Sequence, residues 1–338
     1  MATFAEPAQR AESERAASTA AIYDVAVDPN DRNTAHALIL EMIGHDKRVL
    51  EVGCAAGHLT KHMVANGCVV DGVEIDPIAA SHAASIAERV VVADLDRLDF
   101  ATDLQPGSYD VIVFGDVLEH TRAPNDVLAL ARPLLKPDGY AVISVPNIAH
   151  ADVRLMVLQG RWEQFDWGLL DKTHIRFFTY DLLQRMLRDG GFLSTQVERV
   201  TRPVFGTELA GLRDDFDDEL LKRVLADDEA ETYQFVVRAA LDNGDTAIRD
   251  AMSQVERLQR DVHAARRDAT IRVAEAELFR QNAVDAAEAA QAERATVQAE
   301  LATGLAELDA IKRSRSYRLT QKALRLARPL RGKRRAAE

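Results

Sequence analysis

The chain has 338 residues, 47% hydrophobic and 28% charged, with a formal net charge of −12 and two cysteines. That length holds one domain of about 200 residues and a separate second segment. The two cysteines, a polar Ala/Glu-rich start and the lack of any apolar run near the ~18 residues of a membrane span exclude a disulfide framework, a signal peptide and a spanning helix, so a cytoplasmic protein is expected. Eleven Lys/Arg and no Asp/Glu fall between Lys312 and Arg335, leaving an acidic body that is a poor surface for nucleic acid.

Residues 1–20 read as a disordered leader. Asn33 to Ile43 carries apolar residues at helical spacing. The run Arg48-Val49-Leu50-Glu51-Val52 then enters Gly53-Cys54-Ala55-Ala56-Gly57, a strand–turn–helix in which Gly53 and Gly57 are expected to let the backbone approach a ligand. Glu51 stands where it meets an ammonium group. The run Val69 to Asp76 ends a second strand with Glu74, about 20 residues past the turn, placed for ribose hydroxyls. A third run, Arg89 to Leu95, ends in Asp94, which is placed to accept from an adenine amine. The third glycine of a dinucleotide fingerprint is missing and no basic residue waits for a phosphate. Three carboxylates at three strand ends suit a cationic nucleoside, S-adenosylmethionine.

Alternating strands and helices continue to Asn147 and imply a parallel sheet with right-handed crossovers. Arg188-Asp189-Gly190-Gly191-Phe192 ends a helix. Ser194 to Arg202 and Thr232 to Leu241 are expected to close the sheet as an antiparallel pair, with Asp214 to Glu231 an acidic helical insert between them.

Residues from about 45 to 241 resemble a class I S-adenosylmethionine-dependent methyltransferase. The turn and carboxylates above carry the likeness. So do Tyr109 to His120, like the family's fourth-strand motif, and Leu135 to Asn147, like its turn and fifth strand. The resemblance implies an α/β fold, a Rossmann-like seven-stranded sheet within residues 21–244. It also implies cofactor contacts from Glu51, Gly53, Cys54, Gly57, Glu74, Ile75, Asp94, Leu95, Asp116 and Val117. Ala55 stands where many members carry glycine; a methyl there is tolerated if φ is negative.

Between the fifth strand and the next helix, residues 147–179 are rich in aromatic, histidine and charged residues, at the sheet end where α/β folds bind ligands. The string P-N-x-x-H followed by L-D-x-T-H-x-R-F-F-T resembles a branch of methyltransferases found with surface-polysaccharide glycosyltransferases. That likeness implies a glycan or glycolipid acceptor, with Asn147, Trp162, Trp167, Asp171 and Arg176 in contact with it. A hydroxyl acceptor needs a base, and histidine's ordinary pKa suits the task. His174 is the first choice, then His150 and His120, with Asp116 or Asp171 orienting. His120, Asp116, Asp171 and His174 are also residue types that bind a divalent metal able to activate a sugar diol, but their spacing is not a metal signature, and no metal is expected.

Residues 245–311 lack proline, hold one glycine (Gly304) and place apolar residues mostly three, four or seven apart, which reads as an alanine-rich coiled coil able to join copies or a partner. Residues 312–338 form a basic amphipathic tail in which Tyr317, Leu319, Leu324 and Leu326 sit among arginines. It is expected to hold the protein peripherally at an anionic membrane face through residues 312–335. Two other functions fit the same residues: O-methylation of a small molecule or lipid, and a coiled-coil scaffold with a vestigial methyltransferase domain.

Overall fold

The computed structural model describes residues 27–209 and 216–332. The expected leader at 1–20, part of the acidic insert and the last six residues of the basic tail lie outside the described residues.

Helix α1 (Ala35–Ile43) starts where Thr34 accepts from the Ala37 N–H, and it buries nearly every side chain. The strands are β1 (Arg48–Val52), β2 (Val69–Glu74), β3 (Arg89–Val92), β4 (Tyr109–Gly115), β5 (Leu135–Pro146), β6 (Phe192–Thr201) and β7 (Thr232–Leu241). They form one sheet in the order β3-β2-β1-β4-β5-β7-β6. The first five run parallel and β7 lies antiparallel between β5 and β6. This is the expected seven-stranded sheet with its closing antiparallel pair.

Continuous apolar runs in β1, β4 and β5 reflect burial on both faces. One face packs Leu50, Ile112, Phe114 and Ile143 against α4 (Pro124–Ala131) and α6 (Tyr180–Asp189). The other packs Val49, Val111, Val113 and Val142 against α1 and α2 (Thr60–Ala65). Helix α3 (Pro77–Ala83) crosses from β2 to β3, begun by Asp76 accepting from Ile78 N–H. Chain order outward from β1 runs to β2 and β3 on one side and to β4 on the other. The crevice at this reversal, outside the carboxyl ends of the strands, is where such sheets bind ligands.

After β5 the chain forms α5 (Ala151–Leu158) and an irregular segment folded over a small core of Val153, Met156, Leu169, Leu170 and Leu209. Asn147 anchors this excursion: its Nδ2 donates to the Glu229 and Thr232 carbonyls, and its Oδ1 accepts from Ala149 N–H. Helix α7 (Asp218–Leu225) lies between β6 and β7.

Helix α8 (Thr246–Arg313) is followed by α9 (Arg315–Gly332). One compact unit runs to Ala265 and a second from Arg266. The first turns of α8 pack within the former: Arg249 pairs with Asp242, Gln259 donates to the Thr195 carbonyl at 3.2 Å, and His263 Nε2 lies 2.9 Å from the Asp228 carbonyl. In the second unit Phe279, Val297, Leu301 and Leu305 are exposed.

Asn147→Ala removes a buried amide that ties three backbone groups. It is expected to cost about 1–3 kcal/mol of stability while leaving cofactor affinity within about twofold, as read by thermal unfolding and by calorimetric titration.

Candidate functional site

Two adjoining cavities open at the carboxyl ends of β1, β2 and β4. One, of about 350 Å³, is lined by Gly53, Ala55, Glu74, Asp94 and Val117 among others. The second, of about 280 Å³, is lined by Glu51, Cys54, Glu119, Trp167, Asp171 and His174 among others. Ala55, His58, Asp116 and His120 belong to both walls. No lysine or arginine lines either cavity.

Local backbone demands explain the turn after β1. Gly53 sits at φ +76°, and a Cβ there would lie 2.5 Å from a Val117 methyl. Its N–H and that of Cys54 both donate to the Val73 carbonyl. Gly57, at φ +86°, lines neither cavity. A Cβ at this position would lie 3.2 Å from Ala83 Cα of α3 and from Ile86 Cδ1, so the missing side chain makes room for helix packing. Ala55 takes φ +45°, so the condition under which its methyl is tolerated without cost is not met. An L-residue pays roughly 1–2 kcal/mol for that conformation. The Ala55 N–H donates to Glu74 Oε2 at 2.8 Å, a charge-assisted bond that offsets the cost.

Glu74 is buried and receives two more backbone donors, Ile75 and Asp76 N–H at 2.9 Å each on Oε1. The carboxylate is thereby fixed at the strand end with lone-pair capacity left for a ligand hydroxyl. Asp94 caps a short turn by accepting from Asp96 N–H at 3.0 Å, and its second oxygen is 3.9 Å from Arg97. Exposed Ile75 and half-buried Leu95 and Val117 supply apolar wall beside these carboxylates. Acidic groups at the strand ends, apolar sides and a lining without lysine or arginine match a cationic nucleoside, so the residues present fit S-adenosylmethionine.

Glu51 faces the second cavity and accepts from Thr60 Oγ1. Burial pushes its carboxyl up to about 8, partly opposed by that hydrogen bond and reinforced by the Glu74 charge. Cys54 is buried and reduced, with its thiol held up by burial and by the Glu51 and Glu74 charges. Asp116 sits at φ +52°, and its carboxylate accepts from Ser144 Oγ at 2.7 Å and Gln234 Nε2 at 3.1 Å.

Past Asp116, a single 3-10 turn (Leu118–His120) carries Glu119 and His120. The Glu119 carbonyl accepts from Ile175 and Arg176 N–H, both at 2.9 Å, which straps residues 171–176 to this turn. Asp171 caps its own loop by accepting from Thr173 N–H and Oγ1. His174 is thereby laid edge-to-face on His120, ring centroids 4.9 Å apart. Burial lowers the pKa of both imidazoles, and for His174 the neighbouring His120 lowers it further. Both are therefore neutral bases near pH 7.

Of the expected acceptor contacts, Trp167 and Asp171 line the second cavity, and Trp167 is 61% exposed at its mouth. Trp162 and Arg176 do not line it. Trp162 packs edge-to-face on Phe177, and Arg176 spends its guanidinium on the Arg122 and Ile175 carbonyls. Asn147 is the structural tie described above and is fully buried. His150, expected among the bases, lines neither cavity and is fully buried: Nδ1 accepts from Asp152 N–H at 3.2 Å, and Nε2 faces the Arg202 carbonyl at 3.0 Å. Sequence reasoning missed Glu119, Thr60 and Gln234; only Glu119 had a local signal, its place between Asp116 and His120.

A family model described as "Methyltransferase domain" matches residues 28–197, half of the chain. A ubiquinone biosynthesis O-methyltransferase of Burkholderia pseudomallei is 25% identical over 169 residues, 46% of this chain and 68% of that protein. Its counterpart in Burkholderia cenocepacia is 31% identical over 114 residues, 30% of this chain and 45% of that protein. Among solved structures, a SAM-dependent methyltransferase from Archaeoglobus fulgidus aligns at 18% identity and TM-score 0.46, covering 61% of this chain and 92% of that one. The 1,6-didemethyltoxoflavin-N1-methyltransferase of Burkholderia thailandensis aligns at 22% identity and TM-score 0.43, covering 71% and 92%.

Two predictions follow from the carboxylates. Glu74→Ala is expected to weaken S-adenosylmethionine binding at least tenfold by calorimetry; unchanged affinity would remove Glu74 from the ligand's contacts. The folded protein keeps the Glu51 proton up to about pH 8, whereas the unfolded chain loses it near 4.5, so this group costs stability as pH rises through that window. Glu51→Gln should therefore raise the melting temperature of the ligand-free protein more at pH 8 than at pH 5, and weaken cofactor binding.

Proposed function

The chain belongs to the methyltransferase-domain family and is an S-adenosylmethionine-dependent methyltransferase, and from that premise we propose that it methylates a hydroxyl oxygen of a glycan or glycolipid. The observation that carries the hydroxyl is the basic group facing the second cavity: two neutral imidazoles beside Asp116 and Asp171. A hydroxyl must lose its proton as its oxygen is alkylated, and such a group receives it. The curated relatives named above, O-methyltransferases by name, support the same acceptor atom.

S-adenosylmethionine supplies an electrophilic methyl: the acceptor oxygen bonds to the methyl carbon while the carbon–sulfur bond breaks, its electron pair remaining on sulfur. The protein's work is positional. Glu74 and Asp94 hold the nucleoside end, and Glu51 takes the ammonium. Asp116, held by Ser144 and Gln234, stands between the two cavities and directs the cofactor toward the acceptor. The hydroxyl proton leaves within the group formed by His120, His174, Asp116 and Asp171. Trp167, exposed at the mouth, offers a flat face for stacking on a sugar ring. That face, with the likeness of residues 146–179 to polysaccharide-associated methyltransferases, supports a glycan acceptor. The names of the curated relatives, ubiquinone biosynthesis O-methyltransferases, favour a second reading, O-methylation of a small molecule or lipid.

Beyond the catalytic unit, α9 is arginine-rich, with Tyr317, Leu319 and Leu324 exposed, which supports docking on an anionic membrane face. Among the described residues no helix is long and apolar enough to cross a membrane. The exposed apolar residues of α8 support self-association or a helical partner as a coiled coil.

The test is methyl transfer from labelled cofactor to lipid-linked glycans and to catechols. Label in a base-stable ether on a glycan is expected; label confined to catechols moves the assignment to the small-molecule reading. His174→Ala should lower kcat by at least 10² with cofactor affinity retained. An unchanged kcat would take the proton away from this group.

A further inference from the structure

The second cavity leaves one group unexplained. Glu119 is buried, and its Oε2 has no hydrogen-bond partner among the described residues. A carboxylate oxygen buried without a donor is costly unless a cation reaches it. No lysine or arginine lines the cavity, though Glu51, Asp116 and Asp171 line it too.

Glu119, His120 and His174 each offer one ligand atom, and these atoms lie within 4.8 Å of one another. The imidazoles are oriented for ligation. His120 Nδ1 is 3.3 Å from the Thr173 carbonyl and His174 Nδ1 is 3.3 Å from the Leu169 carbonyl. A carbonyl only accepts, so each Nδ1 carries the proton and each Nε2 keeps its lone pair. Metal-bound histidines are held in this way, their second nitrogen donating to a backbone carbonyl. The strap from the Glu119 carbonyl to Ile175 and Arg176 N–H holds the two ligand-bearing segments together.

We propose that Glu119, His120 and His174 bind a divalent first-row transition cation at the floor of the acceptor cavity. Two imidazoles and one carboxylate on one side of the ion leave its other positions open, as in catalytic sites. An acceptor oxygen fills one open position, and a neighbouring hydroxyl on the same acceptor fills another. The cation lowers the pKa of the bound hydroxyl. With the ion bound, the two imidazoles act as ligands and no longer as the bases named above, and the hydroxyl proton passes to Asp171 or Asp116, both outside the ligand set. This deepens the hydroxyl-methylation reading and rests on it for the acceptor, while binding of the ion by itself does not.

The experiment uses the full chain stripped with EDTA and dialysed. Mn²⁺ alone is titrated and followed by electron paramagnetic resonance, with Zn²⁺ as competitor. One Mn²⁺ per chain at micromolar affinity, displaced by Zn²⁺, is expected. Glu119→Gln, which keeps the shape of the side chain, and His174→Ala should each weaken binding at least 100-fold. Unchanged melting and cofactor affinity would show that both variants fold. Absence of Mn²⁺ binding up to 1 mM, or equal binding by the two variants, overturns the site. If the stripped enzyme in EDTA methylates a hydroxyl at full rate, the cation has no part in transfer and the hydroxyl reading stands. If Mn²⁺ binds as expected but no hydroxyl compound accepts a methyl group, the site stands and that reading falls.

Discussion

Negative charge gathered at one end of the sheet, in two cavities that no lysine or arginine lines, is the constraint on which the rest of this structure turns. Glu51, Glu74, Asp94, Asp116, Glu119 and Asp171 all line one or the other of two adjoining cavities. Such an arrangement is held only by partners that stabilise each carboxylate, by protonation, or by a cationic ligand. The protein uses the first two unequally. Glu74 takes three backbone N–H donors and Asp116 takes two side-chain donors, whereas Glu51 and Glu119 have their pKa values raised by burial. The compensation left unfilled has the sign of a sulfonium and ammonium compound in one region and of an added cation in the other.

Holding that charge costs backbone freedom. Ala55 and Asp116 both adopt left-handed conformations, and each touches the junction of the two cavities. Ala55 turns its N–H onto Glu74, and Asp116 turns its carboxylate toward Ser144 and Gln234. Strained residues persist where surrounding bonds over-determine them, and here those bonds run to β2, β5 and β7. The strain is thus spread across the sheet while its geometric consequence is confined to the site.

The excursion after β5 completes the wall. It is anchored at one end by Asn147 against the start of β7 and pinned at the other by the Glu119 carbonyl. Between these ties, residues 150–170 pack over their own apolar cluster. Its aromatic residues accordingly divide: Trp162 and Phe177 pack on each other, and Trp167 stays exposed over the cavity.

Much of this was legible in the chain. The apolar runs ending in Glu51, Glu74 and Asp94 marked three parallel strands and the face on which their carboxylates collect, because strand ends in a parallel sheet share one edge. The closing strands Ser194–Arg202 and Thr232–Leu241 were likewise visible in their patterning. What periodicity does not carry is which direction a turn residue faces and which distant segments touch. Gly57 sits against α3, Ala55 takes the positive φ that its side chain disfavours, and His150 is consumed by the Arg202 carbonyl. The meeting of His174 with His120, 54 positions apart in the chain, depends on two backbone hydrogen bonds to Glu119. Local sequence thus determined the strands, the carboxylate edge and the class of cofactor, since those follow from residue type and spacing. Only the tertiary structure decided which histidines share a cavity, because that contact is made by backbone groups every residue carries.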